Sequence, residues 1–155
     1  MEQYILIPLL PLIAFAVNII FGRSVIKNNA HWIAISAVGA SFILSLVTFF
    51  EVASGKTVNF DAYSWIVSGS FKVTIGFLID QLTAIMLIVV TSVSLLVHIY
   101  SVGYMHGDKG YYRFFSYLSL FTFSMLMLVM GNNLLQMYFG WEAVGLCSYF
   151  LIGFW

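Results

Sequence analysis

Stretches without a charged residue divide the chain into runs at 3–22, 28–50, 81–107 and 114–141, and the tail after Glu142 is apolar again. A membrane-spanning helix needs about 20 apolar residues, so each run is long enough for at least one span. The last run and its tail exceed one span, and Gly131-Asn132-Asn133 supplies the turn that splits them. The pattern predicts five spans, near residues 4–22, 32–50, 79–103, 113–131 and 134–155.

The polar stretch between the second and third spans has a different period. Tyr63, Trp65 and Val67, then Phe71, Val73, Ile75 and Phe77, alternate with other residues around Ser68-Gly69-Ser70. Period two around a glycine-containing turn predicts a β-hairpin, with an irregular loop as the alternative. Two lone strands are marginal in water. The hairpin is therefore expected on the outer membrane surface or against a neighbouring subunit, with Tyr63 and Trp65 at headgroup depth.

Basic residues set the expected orientation. Arg23 and Lys27 follow the first span, Lys109 and Arg113 surround the third loop, and the opposite side has only Lys56 and Lys72. This places the N-terminus outside and the first and third loops in the cytoplasm or matrix. The fold class expected is an all-α multi-pass membrane protein of one domain, residues 1–155, with a hairpin in the outer loop.

Composition agrees. The chain is 62% hydrophobic and 8% charged, against about 25% charged residues in an average soluble domain. Six basic and six acidic residues cancel, leaving no basic surface for nucleic acid and making lipid the expected surrounding. Cys147 is the only cysteine. It cannot pair internally and suggests packing rather than metal binding. The start of the chain lacks a basic segment and carries Pro8 and Pro11 in its apolar stretch, so it is expected to be a retained span rather than a cleaved signal peptide. No phosphate loop, nucleophile elbow, cysteine cluster or haem ligand pair is recognisable, and no cofactor is expected.

Glu142 is the first candidate for chemistry. It lies eight residues beyond Leu134, about 12 Å into a hydrocarbon core of about 30 Å. An ionised side chain there costs from about 3 to more than 10 kcal/mol, and such groups commonly serve ion or proton movement. Tyr138, Glu142, Gly145 and Tyr149 recur on one helical face, with Gly145 and Ser148 expected to permit close helix approach. Desolvation favours the protonated carboxyl and a nearby cation the ionised one, which makes a switchable proton site. The alternative is a permanently protonated acid that hydrogen-bonds across helices.

In the third span Thr91, Ser94, His98 and Ser101 share a face. Such a line suits a hydrated proton path, since histidine titrates near neutral pH; a hydrogen-bonded or snorkelling histidine is the alternative for His98. Ser41, Ser45 and Thr48, and Ser116, Ser119 and Thr122, are expected to join helices by hydrogen bonds. Asp80 suits an N-cap at the start of the third span, with ion binding as its alternative.

The stretch from GFLIDQLTAIML through HIYSVGYMHGDKGYYRFFSYLS to NNLLQMYFGWEAVGLCSYFLIGFW resembles the N-terminal part of the chain L or chain 5 subunits of NADH-quinone oxidoreductase, respiratory complex I, over the whole 155 residues. The resemblance implies an antiporter-like subunit at the far end of the membrane arm of a bacterial or mitochondrial inner membrane. It implies other membrane-arm subunits as partners, coupling of NADH-to-quinone electron transfer to proton translocation, and a proton-translocating role for Glu142 in the WEAVG motif. Family members are several times longer and carry an intramembrane lysine that pairs with this glutamate, so the chain is expected to be an N-terminal part. A subunit of a multi-subunit sodium/proton antiporter and a non-catalytic membrane scaffold are the alternative functions.

Overall fold

The computed structural model of the chain describes residues 2–26, 29–69 and 71–155. Lys27, counted among the basic loop residues, and Ser70, at the expected hairpin turn, lie outside the described residues. The described elements, in order, are α1 (Glu2–Phe21), α2 (Ala30–Ala53), β1 (Val58–Ser68), β2 (Phe71–Ile79), α3 (Gln81–Tyr104), α4 (Tyr111–Met130) and α5 (Leu134–Ile152). α1 continues into a short π-helical turn, Gly22–Ile26. The first four helices are long and apolar enough to cross a membrane. α5 has 19 residues but includes Gln136, Glu142 and Ser148, which take it below that measure.

Local chemistry sets the boundaries. Asp80 caps α3 by accepting from the Thr83 N–H at 2.8 Å, the N-cap role expected of it, and Asn133 caps α5 by accepting from the Gln136 N–H at 2.9 Å; each satisfies a backbone donor that the first helical turn leaves free. Pro11 lies inside α1. It has no N–H, so the Ile7 carbonyl four residues earlier loses its helical donor. The Ser41 hydroxyl of α2 fills that place, donating to the Ile7 carbonyl oxygen at 2.8 Å. In hydrocarbon, where water cannot serve, such a side chain is what makes the proline tolerable.

α4 is the hub of the bundle, packing on α1 and α5 and meeting α2 and α3, while α2 lies between α1 and α3. α5 rests chiefly on α4. Gly140 makes this approach possible: a Cβ there would stand 2.8 Å from the Leu128 Cα of α4. Gly145, expected to be the close contact, has nothing within 4 Å of an added Cβ, and the Ser148 hydroxyl bonds to Val144 of its own helix. The small-residue seam of α5 thus lies on the face of Gly140, opposite to expectation.

The core divides into two apolar clusters at the two ends of the bundle. One joins Tyr4, Ile7, Val52, Phe77, Ile79, Leu126 and Met130. The other joins Ala30, Ala34, Met105, Tyr111 and Phe115, with Ile26 and Phe154 against it. The chain segments after α1, α3 and α5 therefore share one end of the bundle. Arg23, Lys109 and Arg113 belong to these segments or to the helix start beside them, while Lys56 and Lys72 lie in the segment between α2 and α3.

The hairpin forms as expected, antiparallel from Val58↔Ile79 to Ser68↔Phe71, with register shifts between Asp61 and Tyr63 and between Ser64 and Ile66. Gly69 takes the left-handed conformation at the turn (φ +59°) that other residues avoid. Val73, Phe77 and Ile79 are buried against the bundle, while residues 61–67 are exposed. Trp65 meets the Phe139 ring of α5 edge-on, centroids 4.9 Å apart. The hairpin therefore caps its own bundle. Asn132 Nδ2 donates to Asp61 Oδ1 at 2.9 Å and Asn59 Oδ1 at 3.1 Å, Asn133 Nδ2 donates to the Thr74 carbonyl at 2.9 Å, and Gln136 Oε1 accepts from the Gly76 N–H at 2.9 Å.

Candidate functional site

Between the apolar ends lies a polar middle. Ser41, Ser45 and Thr48 of α2, Thr91 and His98 of α3, and Ser116, Ser119 and Thr122 of α4 are all buried. Most of these hydroxyls donate to the carbonyl four residues back in their own helix: Ser45 to Ser41, Thr91 to Leu87, Ser116 to Tyr112, Ser119 to Phe115 and Thr122 to Leu118. This local bonding satisfies them without water. It also differs from the expected helix-to-helix bonding, which Ser41 performs and Ser45 does not.

α3 and α4 are joined at the side chains. The Ser94 and Thr122 hydroxyls lie 2.6 Å apart, and since Thr122 donates to Leu118, Ser94 is the donor between them. One turn on, His98 has no exposed surface. Its Nδ1 lies 2.8 Å from the Ser94 carbonyl oxygen and 3.3 Å from the Ser94 hydroxyl. A carbonyl oxygen only accepts, so Nδ1 carries the hydrogen and the neutral ring keeps its lone pair on Nε2. Nε2 faces the Ser119 hydroxyl at 3.5 Å, and that hydroxyl donates to the Phe115 carbonyl at 2.9 Å. Protonated Nε2 finds an acceptor in the Ser119 oxygen, and the neutral ring gains a donor for Nε2 when the Ser119 hydroxyl turns from the Phe115 carbonyl.

A groove of about 280 Å³ runs beside this pair, lined by Ser94 and Thr122 and by Met86, Val90, Val93 and Phe121. Its walls are otherwise apolar. Cys147 is buried with its sulfur 3.7 Å from the Ser124 hydroxyl, the packing role expected of it.

Glu142 stands elsewhere. It is exposed on the outer face of α5 together with Tyr138, Gly145 and Tyr149. The polar line predicted from spacing is thus one face of α5, turned away from α4. The structure brings Glu142 and His98 to different neighbours: His98 into the seam between α3 and α4, Glu142 onto an open surface.

Two carboxylates outside the spans are held ionised. Hydrogen bonds from Asn132 and then Thr74 keep Asp61 below the usual aspartate range. The Gly110 N–H, and then the Trp155 indole at 3.1 Å, do the same for Asp108.

Sequence spacing missed three features: the lock between hairpin and α5, the Gly140 contact, and a bond of 2.9 Å between the Tyr111 hydroxyl and His31 Nδ1. The Asx-capping pattern at Asn133-x-x-Gln136 was a signal for part of the first. The others join residues far apart in the chain and leave no periodic trace.

Two family models match. Residues 65–115 match "NADH-Ubiquinone oxidoreductase (complex I), chain 5 N-terminus", and residues 131–155 match "NADH:quinone oxidoreductase/Mrp antiporter, TM". Relatives include NADH-quinone oxidoreductase subunit L of Neisseria meningitidis serogroup A, 50% identical over 99% of this chain and 23% of that protein. Subunit L of Rickettsia conorii is 51% identical over 97% of this chain and 23% of that protein, and NADH-ubiquinone oxidoreductase chain 5 of Arabidopsis thaliana is 49% identical over 99% and 23%. The chain therefore spans about a quarter of the length of these relatives. Among solved structures, a chain of the membrane-bound sulfane sulfur reductase, an archaeal respiratory membrane complex, shares the fold with a TM-score of 0.74 at 14% identity, over 93% of this chain and 22% of that one.

Proposed function

Because this chain belongs to the antiporter-like subunit family of NADH-quinone oxidoreductase, a family of multi-pass membrane proteins, we propose that it forms the N-terminal part of a longer proton-translocating subunit. In this role it couples electron transfer from NADH to quinone, carried out by other subunits, to proton movement. The observation that carries the proposal is the seam at His98. A fully buried imidazole with Nδ1 committed to a carbonyl and Nε2 facing a hydroxyl can take up and release a proton at one nitrogen without leaving either state unpartnered.

Glu142 is the second proton site. A carboxylate on a face otherwise made of Tyr138, Trp141, Gly145, Leu146 and Tyr149 is expensive against hydrocarbon. That face is suited to be covered by further helices of the same subunit, which would supply the cationic partner its ionised form needs. The end bearing Arg23, Lys109 and Arg113 faces the cytoplasm or matrix, and the hairpin end faces outward. Partners on this reading are the other membrane-arm subunits and the surrounding lipid.

The test is Glu142→Gln and, separately, His98→Gln in the full subunit within the assembled complex, with NADH-driven proton uptake measured in inverted vesicles. Loss of uptake in both, with the complex intact on a native gel, is expected. Normal uptake in both returns the chain to a structural scaffold. The second matching model names both oxidoreductase and antiporter, which favours a sodium/proton antiporter subunit as the second reading. It predicts sodium-sensitive growth with unimpaired NADH-driven pumping.

A further inference from the structure

A cavity of about 420 Å³ lies where the hairpin meets α4 and α5. Tyr63 and Trp65 of β1 and Gln136 in the first turn of α5 line it near the helix ends, and Phe123, Met127 and Ala143 line it along the helices. At 1.5 Å per residue, Gln136 is about 3 Å from the start of α5 and Met127 about 4.5 Å from the end of α4, whereas Phe123 and Ala143 lie about 10.5 and 13.5 Å in. The polar groups therefore stand at the hairpin end and the apolar ones reach toward the middle. All three polar groups can donate. Gln136 Oε1 is taken by the Gly76 N–H at 2.9 Å, which fixes the sense of the amide, and Nε2 is buried with no acceptor among the described residues. The Trp65 indole N–H and the Tyr63 hydroxyl also make no hydrogen bond to another described residue. Among the described residues no charged side chain lines the cavity. A buried donor without an acceptor is costly, and water alone does not suit the space, since apolar cavities stay dry.

We propose that this cavity binds a membrane lipid of the diacyl ester class, its ester carbonyls accepting from Gln136 Nε2 and the Trp65 indole and one acyl chain running along Met127, Phe123 and Ala143. The fit is one of depth as well as chemistry. An ester lipid carries its carbonyls where the headgroup meets hydrocarbon and its methylenes deeper, which is the order of the lining. Tryptophan and tyrosine favour that same interface. The terminal torsion of glutamine is broad, so Nε2 turns to an incoming carbonyl while Oε1 stays within reach of Gly76. With no charged side chain present, the neutral ester rather than the phosphate is the group recognised. Bound there, the lipid fills the gap beside the ring contact of Trp65 with Phe139 and braces the hairpin on the bundle. The site is independent of the proton reading, because neither His98 nor Glu142 lines it.

The test uses the assembled complex in phosphatidylcholine vesicles that carry a trace of phosphatidylcholine with a diazirine a few carbons below one ester. Light turns bound probe into a covalent label, which peptide mass spectrometry maps. Label at Phe123, Met127 and Ala143 is expected to exceed that at Val47, an exposed residue of α2 about 9 Å from the same end of the bundle. The diether analogue has the same headgroup and chains but no carbonyl, and should label the cavity about fivefold less, as for the loss of one hydrogen bond. Gln136→Met should bring ester labelling toward the ether level, and Trp65→Phe, which keeps a ring against Phe139, should do so in part. Ala143→Trp, which fills the deep end, should bring both probes down to the level of Val47. Cavity label no greater than at Val47 means ordinary bilayer contact, and none at all means that another protein segment fills the space; either overturns the site. Equal labelling by ester and ether probes overturns recognition of the carbonyl. An ester preference unchanged in both Gln136→Met and Trp65→Phe, with faster hydrogen exchange of β2 in the former, assigns Gln136 to fastening the hairpin and overturns its role as donor. The comparison of ester with ether needs no substitution, so it decides even where Ala143→Trp fails to assemble.

Discussion

Replacing Ser41 by alanine tests how α1 holds a proline at mid-helix. The Ile7 carbonyl has no N–H donor from Pro11, and its partner is the Ser41 hydroxyl at 2.8 Å, at a site where Ile7 and Ser41 are both without exposed surface. Removing the hydroxyl leaves a buried acceptor unsatisfied, which costs about 1–3 kcal/mol in general. Measured bonds between membrane helices average about 0.6 and reach about 1.7 kcal/mol. Because no water can substitute here, Ser41→Ala is expected near the upper part of that range, about 1.5 kcal/mol, or roughly a tenfold change in the unfolding equilibrium. Ser45→Ala is the control, since its hydroxyl bonds to Ser41 of its own helix, whose carbonyl keeps its helical N–H donor. The deciding measurement is a double-mutant cycle with Pro11→Ala, which restores the N–H to Ile7. Reversible unfolding of the purified chain in mixed detergent micelles, followed by circular dichroism, gives the four stabilities. Ser41→Ala should cost about 1 kcal/mol less in the Pro11→Ala background than in the parent. An equal cost in both backgrounds, or a loss in Ser45→Ala as large as in Ser41→Ala, would refute the pairing.

Other parts of the fold make distinct predictions. Gly140→Ala places a Cβ 2.8 Å from the α4 backbone, so overpacking of about 1–3 kcal/mol outweighs the gain in helix propensity of about 1 kcal/mol; spin labels on α4 and α5 should move apart, while Gly145→Ala leaves them in place. Asp61 titrates below the usual aspartate range because Asn132 and Thr74 donate to it. Its bonds therefore stabilise the hairpin above the unfolded-state value, about pH 4, and the stability is lost as pH falls through the lower folded value; hydrogen exchange of β1 should rise in that window, and Asp61→Asn should remove the step. Asp108 behaves the same way through Gly110 and Trp155, so acid in the same range should release the Trp155 indole, read as a change in its fluorescence that Asp108→Asn abolishes.

The spans, the hairpin and the Asp80 cap were legible because each depends on residues near one another in sequence. Uncharged runs, period-two alternation and an acid before a helix are local facts. That the segments after α1, α3 and α5 share one end followed from the alternation of spans, and the apolar cluster of Ile26, Met105 and Phe154 gathers them there. The rotation of α5 was not legible. Spacing places Glu142, Tyr138, Gly145 and Tyr149 on one face, but it cannot say which face meets α4, and the 3.6-residue apolar periodicity is weak in a helix that is apolar nearly all round. A glycine was the clue, and two candidates were present; only the contact with Leu128 chooses Gly140 over Gly145. The role of Ser41 was half visible, because Pro11 announces an orphan carbonyl without announcing its partner.

Depth along the helices gives the two candidate proton sites a relation that their contacts do not. At 1.5 Å per residue, His98 lies about 9 Å from the α3 terminus at the basic end, while Ser94 of α3, Thr122 of α4 and Glu142 of α5 each lie about 15 Å from that end. The seam therefore rises from His98 through the 2.6 Å contact of Ser94 with Thr122 to the level at which Glu142 stands. It does not reach Glu142, because α4 lies between, with Thr122 turned to α3 and the α5 contact made by Gly140 and Leu128. On the proposed function, a proton that has climbed this seam must cross sideways around α4. The groove that opens beside Ser94 and Thr122 is the place where that turn can begin. A lateral step at constant depth costs less than further ascent, since the apolar cluster of Leu87, Leu126 and Met130 closes the bundle above it. On that reading the apolar ends and polar middle would steer a proton sideways within the membrane rather than straight through the bundle.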